Sequence, residues 1–214
     1  MFVKDNPLRL AQKLAEAILA VPTTTTAVEE ARERLRLRRD ARGEPQDRKG
    51  PEYVIENLVR PRLEDFLSLT YKVPSDHIRF WVGSSHYHSG NDTHSAEWWT
   101  LFRTRNPTAD THDKTGALRR ADLFVVTLAG QIVSIELKYL RAQKSFDKAG
   151  YVAQVEQYLA PGDGGVGHDA TILVVYAERP DGLPSRLADL GNQLAVSLPR
   201  RVIAVVLEGP PVGV

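Results

Sequence analysis

Cysteine is absent from this sequence. The absence excludes a disulfide framework, a cysteine-ligated zinc finger and a catalytic thiol, and it agrees with a reducing compartment. Long hydrophobic runs are also missing: no stretch approaches the roughly 18 apolar residues of a membrane span, and no apolar signal segment follows Met1. We therefore expect a cytoplasmic protein that does not enter a membrane.

An excess of charge of one sign is missing as well, because 28 Lys and Arg residues stand against 27 Asp and Glu residues. The formal net charge of +1 excludes the strongly basic character of an obligate nucleic-acid coat protein. Any contact with a polyanion must therefore depend on a local basic patch. The composition is otherwise globular, with 42% hydrophobic and 26% charged residues in a 214-residue chain that can form one α/β domain.

Three helical segments are predicted in the first third of the chain. Asn6-Pro7 is an N-cap and first-turn pair for a helix that ends near Ala20, and the stretch from Thr26 to Glu29 matches a capping box at the start of a second helix. Helical spacing of apolar residues returns from Ile55, and Pro61 should kink or restart this third helix.

We assign residues 1–50 to a helical N-terminal extension and linker, and residues 51–214 to the main domain. The polar, His-rich region at about 83–121 is predicted to be an insertion, and long insertions of this kind are usually functional or disordered. Around it, the patterns predict strands at 78–82, 123–128, 132–139, 171–177 and 201–207, with helices near Val155 and over 183–194. This order predicts the α/β class, with a central mixed β-sheet flanked by helices.

The two central strands are predicted to form a hairpin. Leu128-Ala129-Gly130 suits a three-residue loop, because its last position favours the left-handed conformation that Gly adopts easily. Thr127 then pairs with Gln131, and the same register places Asp122 directly opposite Glu136. Because side chains alternate along a strand, Lys138 shares the face of these two carboxylates. The other face is apolar and consists of Leu123, Val125, Val133, Ile135 and Leu137.

Two carboxylates and a lysine on one face of a hairpin indicate metal chemistry. Like charges directly opposite each other are unfavourable in a sheet, and a hard cation between them is a common reason to tolerate them. Magnesium suits such an all-oxygen site. A bound ion stabilises negative charge on a phosphodiester and lowers the pKa of a bound water, and a nearby lysine can orient that water.

The pattern resembles the PD-(D/E)XK, or restriction-endonuclease-like, nucleases. Their motif is an Asp on one strand and an acid-x-Lys triplet on the next, which Asp122 and Glu136-Leu137-Lys138 match, although Ala121 replaces the usual Pro. Gln154 and Tyr158 on the following helix match the Gln-x-x-x-Tyr element of the RecB-type subset. The resemblance covers roughly residues 51–177 and implies a restriction-endonuclease-like core.

The resemblance also implies an activity: Mg²⁺-dependent hydrolysis of DNA phosphodiesters, with Mn²⁺ as a possible substitute, in restriction, repair, recombination or defence. Asp122 and Glu136 would bind the metal, Lys138 would act on the water side, and Gln154 and Tyr158 would support them. In the RecB-type subset an acid on the helix before the sheet also approaches the metal. By position this acid is Glu56, with Glu52 and Glu64 as alternatives.

Several basic side chains are candidates for contact with DNA. Aromatic residues within the insertion, Trp98, Trp99 and Phe102, could stack on bases, and neighbouring arginines could hold phosphates. Solvated arginines and core-capping aromatics explain the same pattern equally well. The candidates are Arg103, Arg105, Arg119 and Arg120, followed beyond the hairpin by Arg141 and Lys144.

Three other interpretations remain open at this point. Glu136 and Lys138 could be an exposed charge pair on a sheet surface. The chain could be a nucleic-acid-binding module of the same fold that does not cleave, as an accessory protein might; whether the chain forms a homodimer is a separate open point. It could also be a zinc-dependent hydrolase, since a His-x-His pair lies in the insertion. The histidines concerned are His86, His88, His94 and His112.

Overall fold

The computed structural model describes residues 6–42, 52–72, 123–126, 131–142, 144–159, 167–180 and 187–212. These residues form five helices and four strands among the described segments. In chain order they are α1 (Pro7–Leu19), α2 (Thr25–Arg42), α3 (Glu52–Tyr71), β1 (Leu123–Val126), β2 (Ile132–Leu140), α4 (Lys148–Leu159), β3 (Ala170–Pro180), α5 (Leu187–Ser197) and β4 (Val202–Val212).

The four strands make one mixed sheet in the order β1-β2-β3-β4. β1 is antiparallel to β2, whereas β2, β3 and β4 run parallel. A parallel connection needs a crossover, and α4 and α5 supply one each, between β2 and β3 and between β3 and β4. The prediction of an α/β protein with a mixed sheet flanked by helices is confirmed.

The predicted register of the hairpin is also confirmed within β1 and β2. Leu123 pairs with Ile135, and Val126 pairs with Ile132. This is the register obtained by counting outward from a three-residue loop. The loop itself and Asp122 lie outside the described residues, so the pairing of Asp122 with Glu136 stays a prediction.

The two faces of the sheet pack against different helices. On one face, Val133, Ile135 and Leu137 are buried in a cluster with residues of α1, α2 and α3, including Leu14 and Val59. The first helix therefore contributes to the same core as the sheet. On the other face, a second cluster joins the sheet to α4 and α5. Its buried members are Leu140, Val155, Leu173, Val175, Ala177, Leu190 and Leu194.

The helix starts agree with the sequence in one case and correct it in another. The Asn6 side chain accepts a hydrogen bond of 2.9 Å from the Leu8 N–H, as expected for the N-cap of α1. The cap of α2 is Thr24, whose hydroxyl oxygen accepts from the Ala27 N–H at 3.3 Å. The capping box at Thr26 was therefore wrong. Four successive threonines offer equivalent hydroxyls, and sequence alone could not select among them.

Pro61 does not divide α3. The helix continues from Glu52 to Tyr71 through this proline, so the expected restart does not occur. Packing explains the continuity, because Ile55, Val59 and Leu63 are all buried against the core on both sides of Pro61. Helical stability in proteins comes mainly from such burial, and here it outweighs the lost backbone hydrogen bond.

Other predictions fall on parts of the chain outside the described residues. They concern the strand at 78–82 and the insertion at about 83–121. Within the described segments, none of the helices combines the length and the apolar character that crossing a membrane requires.

Candidate active site around Glu136

The carboxylate of Glu136 receives three hydrogen-bond donors. Its Oε1 atom accepts from Lys138 Nζ at 2.5 Å and from Gln154 Nε2 at 2.7 Å, and its Oε2 atom accepts from the Tyr158 hydroxyl at 2.8 Å. Gln154 Nε2 also lies 3.0 Å from the Tyr158 hydroxyl oxygen, which can accept from it. The structure therefore brings together four of the residues that the sequence selected for one site.

Local geometry explains why these four side chains meet. Glu136 and Lys138 are two apart on β2 and project from the face that packs against α4. Gln154 and Tyr158 are four apart on α4, so they lie on one side of that helix. The crossover places α4 over β2, and Val155, fully buried in the second cluster, anchors the helix there.

Glu136 is not an exposed member of a surface charge pair, because only 3% of the residue is accessible to solvent. Burial raises the pKa of its carboxyl group, since desolvation disfavours the charged form. The positive charge of Lys138 and the hydrogen bonds from Lys138, Tyr158 and Gln154 act in the opposite direction. Burial is the larger effect, and the pKa stays above its usual range.

Lys138 has access to both the buried carboxylate and the surface. Its side chain is 19% exposed. Its Nζ atom lies 6.0 Å from the centroid of the Tyr151 ring, which packs edge to face against Phe146. Lys138 therefore stands between the Glu136 carboxylate and a half-buried aromatic pair at the start of α4.

The helix acids differ in their surroundings. Glu56 is buried, with 4% exposure, and its Oε1 atom lies 3.6 Å from Arg60 Nη1. Arg60 Nε donates to Glu64 Oε1 at 2.8 Å, and Glu64 is partly exposed. The side chain of Glu52 lies outside the described part of the chain. α3 packs on the sheet face opposite Glu136. The approach of Glu56 to a metal stays a prediction.

Two of the basic candidates for nucleic-acid contact lie among the residues that the structure describes. Arg141 and Lys144 follow β2, are both exposed, and are joined by a turn in which the Lys144 N–H donates to the Arg141 carbonyl at 3.1 Å. They lie in the segment that leads from Lys138 to α4. The other four, Arg103, Arg105, Arg119 and Arg120, lie outside the described residues, as do the four histidines of the insertion.

On the sheet face opposite Glu136, a cluster of Tyr139, Tyr176 and Glu178 has a structural role. The Tyr139 ring stacks on Tyr176 at a centroid distance of 5.4 Å, and its hydroxyl donates to Glu178 Oε1. The other oxygen of Glu178 accepts from the Ala142 N–H at 2.9 Å. These contacts hold the chain just after β2 against β3, and so steady the end of the strand that carries Lys138.

Sequence reasoning missed His168, which contacts this site through Tyr158. Its ring stacks on the Tyr158 ring at a centroid distance of 5.7 Å, and its backbone N–H donates to the Tyr158 carbonyl at 2.7 Å. His168 lies just before β3 and after a Gly-rich stretch of sequence at 162–167, a place that gives no periodic signal. Its burial results from the packing of the end of α4 against the start of β3, which sequence patterns do not indicate.

Burial of His168 predicts a pH-dependent stability. Desolvation lowers its pKa from the usual 6.5 to about 4. The unfolded chain therefore binds the proton more readily between these two values, so stability should fall as the pH drops from about 6.5 to about 4. The loss is at most roughly 3 kcal/mol. Chemical denaturation of the parent and of His168→Phe at pH 7 and pH 4.5 measures it. Equal pH dependence in both proteins would contradict the prediction.

No family model matches this chain, and no curated protein matches it significantly. The function is therefore inferred from the residues and their geometry. A buried carboxylate with a raised pKa, a cation beside it and two neutral hydrogen-bonding groups is an arrangement typical of functional sites. Such a carboxylate can bind a cation or exchange a proton.

Proposed function

We propose that the chain is a metal-dependent nuclease of the PD-(D/E)XK type that hydrolyses DNA phosphodiester bonds. The observation that carries the proposal is the convergence of Lys138, Gln154 and Tyr158 on the buried Glu136 carboxylate. Residues chosen by their match to two separate motifs, on a strand and on a helix, meet at one carboxylate. An accidental match of either motif gives no reason for that meeting.

The order of elements supports a restriction-endonuclease-like core. α3 precedes the antiparallel pair of β1 and β2, and α4 leads from β2 to the parallel strand β3. With the predicted strand at 78–82, the order becomes a helix, three strands, a helix and a strand. The motif residues lie on β2 and on the helix that follows it, as the resemblance requires.

The chemistry of Glu136 fits a magnesium ligand. Its three donors occupy three of the roughly four lone-pair directions of a carboxylate, which leaves one for a cation. A divalent cation would also offset the cost of burying this negative charge. Among the described residues, no three acidic or histidine side chains are grouped so that they could hold a metal. Asp122, the expected second ligand, lies outside them.

Each residue of the site then has a specific role in the proposed reaction. Glu136, with Asp122 opposite, would hold Mg²⁺, which stabilises negative charge on the scissile phosphate and acidifies a bound water. Lys138 opposes the effect of burial by lowering the pKa of the Glu136 carboxyl group, and it would present a cation toward the substrate side. Gln154 and Tyr158 fix the orientation of the carboxylate, as groups around metal ligands commonly do. Arg141 and Lys144 would contact phosphates beside the site.

The test is a cleavage assay on the full chain. Supercoiled plasmid, linear duplex DNA, single-stranded DNA and RNA are each incubated with Mg²⁺, Mn²⁺, Zn²⁺ or a chelator. We expect cleavage of DNA with Mg²⁺ or Mn²⁺ and none with the chelator. Binding of DNA without cleavage in any metal would instead identify a non-cleaving module. Cleavage with Zn²⁺ alone would indicate a hydrolase that uses the histidines of the insertion.

A further inference from the structure

His168 contacts Tyr158 at two points, and Tyr158 in turn contacts the candidate catalytic carboxylate. The stacked rings are inclined by only 28°, and the backbone N–H of His168 donates to the backbone carbonyl of the same tyrosine. The Tyr158 hydroxyl donates to Glu136 Oε2. The backbone, ring and hydroxyl of Tyr158 are thus each held by a different contact, two of them from His168.

His168 lies where the start of β3 is attached to β2, so its contacts link α4 to the sheet. It comes two residues before β3, and the Asp169 side chain that follows it accepts from the Ile132 N–H at 2.8 Å. Asp169 N–H donates in turn to the Ile132 carbonyl at 3.0 Å. The start of β3 is therefore attached to the start of β2, the strand that carries Glu136. His168 transmits this attachment to the end of α4.

The surroundings of the His168 ring indicate which property of the side chain matters at this position. His168 is 4% exposed, and within the described part of the chain its Nδ1 atom has no hydrogen-bond partner. Because burial lowers its pKa to about 4, the ring is neutral near pH 7. A neutral ring beside Tyr158 leaves the electrostatic balance between Lys138 and Glu136 unchanged. The aromatic plane is therefore the part of His168 that acts on Tyr158.

We propose that His168 is a positioning residue whose ring, stacked on Tyr158, keeps the phenol hydroxyl on Glu136. The proposal rests on the proposed function only where it concerns catalysis. The contact itself is a property of the folded chain and has its own measurement. It predicts that Phe can replace His at this position and that a non-aromatic residue of similar bulk cannot.

The measurement is the ¹³Cζ resonance of Tyr158 in tyrosine-labelled full-length protein, assigned by its loss in Tyr158→Phe. We expect His168→Leu to move this resonance toward the position of a solvent-exposed tyrosine, because Leu fills space without providing a stacking plane. His168→Phe should leave the resonance where it is in the parent. Leu159→Ala is the control, since it removes buried bulk from the same end of α4 but keeps the stack.

Two spectral outcomes would overturn the proposal. One is an unchanged resonance in His168→Leu, and the other is an equal displacement in Leu159→Ala, which would mean general loosening of the helix end. If His168→Leu does not fold, His168→Met takes its place, because its flexible side chain also lacks an aromatic plane.

Cleavage rates give the second readout. His168→Leu should cleave roughly 10-fold to 100-fold more slowly than the parent, the usual penalty for losing a group that orients a metal ligand. His168→Phe should cleave near the parental rate, and adding His168→Leu to Tyr158→Phe should slow cleavage no further. If the parent cleaves nothing, the nuclease proposal fails while the spectra still decide the role of His168. A rate loss in His168→Leu without a spectral change would overturn the positioning role.

Discussion

Glu136→Gln should remove metal-dependent cleavage while the protein remains folded. The amide keeps the shape of the side chain, and it can still accept from Lys138 and Gln154 and bond with the Tyr158 hydroxyl. What disappears is the negative charge that would bind the metal. We expect cleavage to fall on the order of 10³-fold or more, as when one member of a catalytic unit is lost. A plasmid-nicking time course with Mg²⁺ provides the measurement.

The same substitution should also affect the free energy of unfolding. Burial raises the pKa of Glu136, so the folded protein disfavours the anionic carboxylate, whose desolvation is costly. The neutral amide avoids this cost, and the free energy of unfolding should equal or exceed that of the parent. Glu156→Gln on the exposed side of α4 is the matched control and should alter neither property. Parental cleavage by Glu136→Gln would remove the site assignment.

Lys138→Met should also abolish cleavage, for a different reason. Methionine keeps the aliphatic stem but removes the cation that lies 2.5 Å from Glu136 Oε1. The charge of Lys138 and its hydrogen bond are the main influences that lower the pKa of Glu136, so that pKa should rise further in the variant. Deprotonation of Glu136, and with it metal binding, should then begin at higher pH than in the parent.

Calorimetric titration of Mg²⁺ at pH 6, 7, 8 and 9 distinguishes this effect from simple unfolding. Binding by the variant should recover as the pH rises, whereas cleavage should not, because the cation on the substrate side stays absent. Lys72→Met, at an exposed position after α3, is the control for loss of one positive charge. An unchanged pH dependence of binding would show that Lys138 does not control the ionisation of Glu136.

The hairpin shows how far the sequence alone determines this protein. Two β-rich runs, at 123–128 and 132–139, identified both strands, and a Gly at the end of a three-residue loop gave the register found for Leu123 with Ile135. A spacing of four placed Gln154 and Tyr158 on one side of a helix. These features are local: each depends on the period of a strand, the geometry of a turn or the pitch of a helix. The sequence could therefore assign them.

Choices between locally equivalent residues needed the folded structure. The sequence could not distinguish Thr24 from Thr26 as the cap of α2, because both carry the same hydroxyl at similar positions. It could not show that α3 continues through Pro61, because the compensation comes from burial of residues on both sides of it. Glu56 and Glu64 also looked alike in sequence, yet one is buried and the other partly exposed.

The sequence by itself determined which side chains share a face, and it therefore assembled Glu136 with Lys138 and Gln154 with Tyr158 as two separate pairs. Only the tertiary structure decided that the pairs meet at one carboxylate, that this carboxylate is buried, and that His168 stacks behind Tyr158. The physical reason is the range of the interactions. Periodicity is set by neighbouring residues, whereas desolvation and long-range contact depend on how a crossover helix packs on its sheet.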